Sequence, residues 1–356
     1  MPMAKTQTID LSIGDPDLPA PRALVRRLTE SLEKGRDSYS GAQGIFSLRQ
    51  ALGKEIGAKP ENIVICPGSR WAITVAMQVL LQKGDEVIVL SPAWHGFSQI
   101  ARLVGAVPKA VDCLEAGILA GELAFAVNAK RLESAISKKT KMIVINTPNN
   151  PTSAVMKKKD IALVTRLAKK HNLFVLEDTA YKDLVFKPAQ TQGIFGKRVV
   201  KVGTFSKTFS MTGWRIGYVA FPDAQSAKKA VEINKVFITN VPVFIQDAAL
   251  AGVAIRKQVA ARHSRIFEAR AKLATGMLGK VRGVEMMKPE AGIYLFARKN
   301  GMDCGKFMPL LAKKGVIANP GTMFGSYNDC IRIALTVESK TLKKGIGIIA
   351  SELEKI

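Results

Sequence analysis

Lys207 stands in the run Thr204-Phe-Ser-Lys-Thr-Phe-Ser-Met-Thr-Gly-Trp-Arg-Ile-Gly-Tyr218, which places one amine, several hydroxyls and one guanidinium within fifteen residues. An amine becomes a covalent catalyst when it meets a carbonyl. The hydroxyls of Thr204 and Ser206 and the fork of Arg215 are donors suited to a phosphate. Together they point to an aldehyde that carries a phosphate. Lys207 by itself is one of 53 Lys and Arg residues, most of which must be solvated surface charges, so its meaning depends on what accompanies it.

Two other segments deliver polar groups in a similar way. Asn146-Thr-Pro-Asn-Asn-Pro-Thr152 follows the apolar run Met142 to Ile145, and Glu177-Asp-Thr-Ala-Tyr181 follows Leu173 to Leu176. Short apolar runs that end in polar residues read as buried parallel strands, and open α/β sheets bind ligands at those carboxyl ends. In order and spacing the three segments resemble the class I/II aminotransferases, fold type I enzymes dependent on pyridoxal phosphate (PLP). Thr204 stands where that pattern has a first Ser and keeps the hydroxyl. The resemblance implies that Lys207 holds PLP covalently and then serves as general base. It also implies that Asp178 pairs with the pyridine nitrogen and that Asn150 and Tyr181 meet the phenolic oxygen. The chemistry needs the Asp, because a buried carboxylate keeps the ring nitrogen protonated and the ring electron-withdrawing.

The resemblance extends over nearly the whole chain. Leu11-Ser-Ile-Gly-Asp-Pro-Asp-Leu-Pro19 matches an amino-terminal segment whose glycine, here Gly14, lies near the substrate carboxylate. Tyr39 matches a tyrosine that reaches the cofactor phosphate of a neighbouring subunit, which implies a homodimer with shared active sites. Gly68-Ser69-Arg70 precedes the helical pattern Trp71 to Leu81, so its amides are expected at a helix N-terminus that favours phosphate. Trp94 in Ser91-Pro-Ala-Trp94 falls at the ring-stacking position, with His95 beside it expected to be a bystander. Arg332, with apolar neighbours on both sides, falls where the family takes the substrate α-carboxylate; its planar fork fits that group. Arg70 falls where one aspartate-using subgroup has a lysine for the distal carboxylate, so a dicarboxylic pair is expected, with large apolar or aromatic amino acids competing. Ser153 replaces the family's glycine after Asn-Pro-Thr, so the turn either avoids a positive φ or strains a non-glycine residue to adopt it.

The elements that must position these residues are legible at a coarser level. At 356 residues and 47% hydrophobic content, the chain can bury one large core and a smaller second one. Strand and helix patterns alternate from about residue 60 to 220, which argues a mostly parallel sheet with crossover helices. The expected fold is α/β: a large PLP-binding domain over residues 36–230 with a seven-stranded sheet, and a smaller α/β domain from residues 1–35 and 231–356. A helix is expected from Pro21 to Lys34.

Four cysteines, at 66, 113, 304 and 330, lack paired spacing and sit among apolar neighbours, so they read as reduced structural residues in a cytoplasmic protein. No apolar stretch approaches the roughly 20 residues that span a bilayer, and Met1 to Asp10 lacks the apolar core of a leader. The three histidines are too scattered for a metal centre. The formal charge of +24 is not accounted for by the resemblance. Basic residues are spread along the chain with no zinc-finger or RNA-recognition signature, so nucleic-acid binding on a PLP fold is only a distant alternative. The lysine clusters at 138–139 and 157–159 read as solvated surface. Within enzymes, the expected activity is transfer of an amino group between an L-amino acid and a 2-oxo acid such as 2-oxoglutarate. A carbon–sulfur β-lyase of the same fold would use the same cofactor residues, and the sequence does not separate the two.

Overall fold

The structure, a computed structural model, describes residues 8–117, 121–186, 193–194 and 196–356. Most of the segment Met1 to Asp10, read above as lacking a leader's core, lies outside the described residues. The apolar runs form a seven-stranded sheet. Its spatial order is Ile63–Cys66, Gly217–Ala220, Val199–Thr204, Phe174–Asp178, Thr140–Asn146, Glu86–Ser91 and Val107–Asp112. All pairings are parallel except those of Gly217–Ala220, which runs antiparallel to both neighbours. The sheet is therefore mostly parallel, as expected.

These strands read as continuous apolar runs because both faces are covered. Val64, Ile88, Ile143, Val144 and Leu176 are at most 1% exposed. Alternation sorts them: Met142, Val144 and Leu176 pack on one face with Ala72, Ile73 and Ala76 of the helix Ser69–Leu80. Ile143, Ile145 and Val175 pack on the other face against Val164 and Leu167 of the helix Lys158–Lys170. Crossover helices thus fix the strand ends from both sides.

A six-stranded sheet lies apart from the first, in the order Asn319–Pro320, Cys330–Ala334, Tyr294–Lys299, Val284–Met287, Glu122–Phe125 and Leu114–Ala116. Leu24 of the helix Arg22–Glu33 meanwhile packs with Leu48, Ile65 and Tyr218, on the side of the first sheet. Sheet membership therefore interleaves along the chain rather than dividing at residues 36 and 230. The long stretch after Val231 resolves into the end of the helix Ala224–Phe237 and a 36-residue helix, Val243–Leu278. At about 1.5 Å per residue, such a helix reaches from one core to the other. Ala248 and Ala249 pack in the core that holds Leu24, whereas Phe267, Ala271 and Leu278 pack behind the second sheet. Among the described residues no helix is long and apolar enough to cross a membrane, and no cluster of His, Cys, Asp or Glu could hold a metal ion.

Candidate active site

A cavity of about 420 Å³ opens at the carboxyl ends of the first sheet's strands. Asn146, Asp178 and Thr204 each close a parallel strand, and all three line it. The irregular segment between Thr204 and Gly217 brings Lys207 and Arg215 to the same space. The three segments joined by sequence reasoning are therefore joined in space.

Lys207 donates from Nζ to the carbonyl oxygen of Gly14 at 2.6 Å. Gly14 is a glycine for a steric reason: a Cβ there would lie 1.9 Å from the Tyr294 hydroxyl. Its segment is held by side chains that capture consecutive carbonyls: Asn319 Nδ2 and Arg332 Nη2 donate to Ser12 O, and Thr336 Oγ1 donates to Ile13 O at 2.8 Å. Asp17 makes a two-point ion pair with the buried Arg270, at 2.7 and 2.8 Å.

One end of the cavity is rich in donors. The helix Ser69–Leu80 starts there without a side-chain cap, leaving its first amides and its dipole directed at the cavity. Thr204 Oγ1 lies 2.9 Å from Ser206 Oγ and accepts from the Ser206 amide at 3.1 Å. Arg215, held by its donation to Thr212 O at 2.7 Å, lies against Gly68, where a Cβ would come within 2.7 Å of Nη2. Gly68 also has φ of 89°, and that left-handed backbone is what requires glycine in this turn.

The floor of the cavity is acidic but buried. Asp178 is 5% exposed, and burial pushes its carboxyl up to about 7 although the Ala180 amide donates to it at 2.9 Å. No ammonium or guanidinium among the described residues hydrogen-bonds it. Asn146 Nδ2 donates to the Asp178 carbonyl at 3.1 Å, and Asn146 Oδ1 accepts from the Asn150 amide at 2.7 Å, so one asparagine locks the turn to the strand end. Asn150 then accepts from Arg332 Nη1 at 3.0 Å. In that turn Ser153 takes φ of 57°, the strained alternative, and is fully buried. Its hydroxyl accepts from the Tyr294 amide at 3.1 Å, a bond that glycine could not make.

Arg332 is 5% exposed and has no carboxylate partner among the described residues. Its guanidinium lies 4.3 Å from the Tyr294 ring centroid and 4.9 Å from that of Phe324, and its Nε is buried without a hydrogen bond. A buried cation supported by aromatic faces and two neutral acceptors is prepared for an anion. Trp94 packs edge-on against Phe97, and the Arg70 guanidinium sits 5.1 Å from the Trp94 ring centroid. Tyr181 is buried with its hydroxyl 3.1 Å from that of Tyr294, and burial holds the phenol far above its ordinary range.

Tyr39 does not reach the cavity of its own chain and is 87% exposed. Conversely, Tyr294 and Phe324 line the cavity although sequence reasoning assigned them nothing. A tyrosine inside an apolar strand reads as core, and only the contact with Gly14 reveals its place. His95, expected to be a bystander, also lines the cavity. Its Nδ1 is buried without a partner, and burial followed by the charges of Arg70 and Arg332 pushes its pKa down.

The family model for aminotransferase class I and II matches residues 6–349. The chain is 30% identical over 368 residues to the probable aspartate/prephenate aminotransferase of Aquifex aeolicus, covering 98% of this chain and 91% of that protein. It is 31% identical over 366 residues to aromatic-amino-acid aminotransferase 2 of Thermococcus litoralis, covering 98% and 92%. Among solved structures, the aspartate aminotransferase of Thermus thermophilus with maleate matches with a TM-score of 0.88 at 26% identity, covering 97% of this chain and 91% of that one.

Proposed function

Because the chain belongs to the class I and II aminotransferases, enzymes that move an amino group between an amino acid and a 2-oxo acid, we propose that it works with PLP held by Lys207 on a dicarboxylic pair. The pair is aspartate or glutamate with 2-oxoglutarate. The convergence in one cavity of Lys207 and the buried Asp178, which no cation among the described residues hydrogen-bonds, carries the cofactor reading.

The residues present fit PLP. A carboxylate buried without a cation suits a ring nitrogen that bears a proton, and the donors of Ser69, Thr204, Ser206 and Arg215 suit a phosphate. Bound PLP supplies an aldehyde for the amino acid's nitrogen and a ring that withdraws electrons from its α-carbon. Once the substrate's nitrogen has taken its place on the aldehyde, the freed Lys207 amine would serve as general base for the α-proton. Asp178 would hold the proton on the ring nitrogen, and Tyr181 and Asn150 would hold the phenolic oxygen. Arg332 clamps the α-carboxylate with its planar fork. Trp94 covers the ring and excludes water.

The dicarboxylic reading rests on Arg70, whose guanidinium has no hydrogen bond or ion pair among the described residues and lies against Trp94. Maleate, present in the Thermus structure, is a dicarboxylate bound by that relative. Tyr39, exposed on this chain, would complete a neighbouring subunit's phosphate site in a homodimer. Four buried, unbonded cysteines agree with a reducing cytoplasm.

The experiment is to incubate the protein with PLP and a panel of amino acids, scoring both the product of added 2-oxoglutarate and any pyruvate with ammonia. Glutamate formed from aspartate supports the reading; pyruvate and ammonia without glutamate would replace it with β-elimination. Borohydride reduction followed by peptide mapping should place the cofactor on Lys207, and labelling of another lysine sinks that assignment.

A further inference from the structure

Three adjacent strands of the first sheet run from one edge of the fold to the active site. Thr140–Asn146, Phe174–Asp178 and Val199–Thr204 end at the active site. At their amino ends lies a separate cavity of about 480 Å³, lined by Lys138, Lys141, His171 and Arg198, with Ser137 and Asn172 between them. Among the described residues no carboxylate lines it. The volume lies in the range of small-molecule sites.

The cations there are unpaired. Glu86, the acid that holds Ser137 and Thr140 (2.5 and 3.0 Å), is already paired with Lys109 at 2.8 Å. Glu133, whose charge acts on the neighbouring His171 segment, is paired with Lys170 at 2.6 Å. Lys138, Lys141 and Arg198 form no ion pair among the described residues. Arg198 is also held in place: its guanidinium lies 3.9 Å from the Phe174 ring centroid, and its Nε is buried without a hydrogen bond. An arginine fixed on an aromatic face loses little freedom on meeting an anion, and its fork matches phosphate oxygens. Like charges converging on a concavity repel one another and focus a positive potential that an anion relieves.

We propose that this cavity is a second binding site, remote from the transamination chemistry, for a small anion bearing two or more phosphate groups. Arg198 and Lys141 are its principal donors, with Lys138 and His171 completing it. Part of the chain's +24 charge is thereby given a location, at a lysine cluster that the sequence alone assigns to solvated surface. A local depression with few cationic positions favours a compact polyphosphate over an extended nucleic-acid strand, which needs a continuous stripe.

The test is calorimetric titration of tripolyphosphate into the PLP-loaded enzyme, whose active-site phosphate donors are occupied, at low and at physiological salt. One saturable site per chain is expected, weakening as salt rises. Arg198→Gln and Lys141→Gln should each weaken it by about tenfold or more, the scale of a charge-assisted hydrogen bond, while transamination kinetics stay unchanged. Arg198→Lys should retain part of the affinity. Tripolyphosphate should raise the melting temperature of the parent protein and not that of the double variant, which reports binding and folding together. Absence of saturable binding at low salt overturns the proposal, as does equal affinity in Arg198→Gln. Tight binding of a single-stranded oligonucleotide that survives both substitutions would assign the charge to a diffuse nucleic-acid surface and overturn it also.

Discussion

The Lys207 amine and the Gly14 carbonyl, 193 residues apart in sequence, meet at 2.6 Å. The contact ties the amino-terminal segment to the catalytic lysine, and it is possible only because position 14 has no side chain. Gly14→Ala would drive a Cβ into the Tyr294 hydroxyl. The expected result is a loss of about ten- to a hundredfold in kcat/KM, the scale of misplacing a reacting group by a fraction of an ångström to an ångström. Steady-state kinetics on a folded variant check this, and parent-like kcat/KM would show that the segment yields freely.

The buried Asp178 makes a statement about pH. Its carboxyl is held up to about 7 in the fold against an ordinary 3.8, chiefly by burial. The folded chain therefore keeps a proton that the unfolded chain has lost, and stability from this group falls as pH rises from about 4 to 7. The slope should approach 1.4 kcal/mol per pH unit in cofactor-free protein. Asp178→Asn should remove that component, and so should loading with PLP, whose ring cation would restore the carboxylate's partner. Urea unfolding at pH 5, 6 and 7 measures it; parallel curves for parent and variant would refute the assignment.

Ser153 offers a contrast between strain and hydrogen bonding. Its φ of 57° costs about 1 kcal/mol in a non-glycine residue, whereas its hydroxyl satisfies the buried Tyr294 amide. Ser153→Ala keeps the strain and loses the bond, and should destabilise the protein by about 1 to 3 kcal/mol. Ser153→Gly relieves the strain while losing the same bond, so it should be the milder of the two. Reversal of that order in thermal or urea unfolding would mean that the positive φ at position 153 costs little.

What the sequence makes legible follows from burial. Asn146 and Asp178 could be read because parallel strands covered on both faces appear as apolar runs, and the polar residue that ends such a run sits at the ligand-binding edge; Thr204 was legible through its place before Lys207. Lys207 and Arg215 followed from their spacing around those ends. Tyr294 could not be read, since an aromatic in an apolar strand has the same pattern whether it faces a core or a cavity. His95 carried no spacing signal; its place depends on Arg70 and Arg332, which come from distant parts of the chain. The strands Leu114–Ala116 and Glu122–Phe125 are short and partly polar, and their pairing with the second sheet is non-local. At Ser153 the sequence posed two alternatives, and the bond to Tyr294 decides between them.

Tyr39, exposed here, gives a test of shared active sites. If it serves the neighbouring subunit's phosphate, Tyr39→Phe and Lys207→Ala chains, each impaired alone, should recover activity when mixed. Random exchange of subunits would leave about a quarter of the sites with both residues intact, the statistical share for a symmetric dimer. No recovery, with exchange shown by mass, would argue for a site built within one chain.

Substrate choice turns on Arg70 and His95. Arg70→Met should lower kcat/KM for aspartate or glutamate by about ten- to a hundredfold and leave alanine little changed, because only a distal carboxylate loses a charge-assisted bond. An equal loss for every substrate would place Arg70 with the cofactor instead. Burial, followed by the charges of Arg70 and Arg332, pushes the pKa of His95 below the ordinary histidine value. It is therefore neutral near pH 7 in the free enzyme. A dicarboxylate that neutralises both guanidiniums removes their part of that shift and leaves the part due to burial, so the imidazole's affinity for a proton should rise on binding. Affinity for an unreactive dicarboxylate such as maleate should accordingly rise as pH falls from about 7 toward 5, and the rise should flatten in His95→Gln. Calorimetry in two buffers of different ionisation enthalpy reads the proton directly. Identical uptake in parent and variant would assign the proton to another group and return His95 to a packing role beside Trp94.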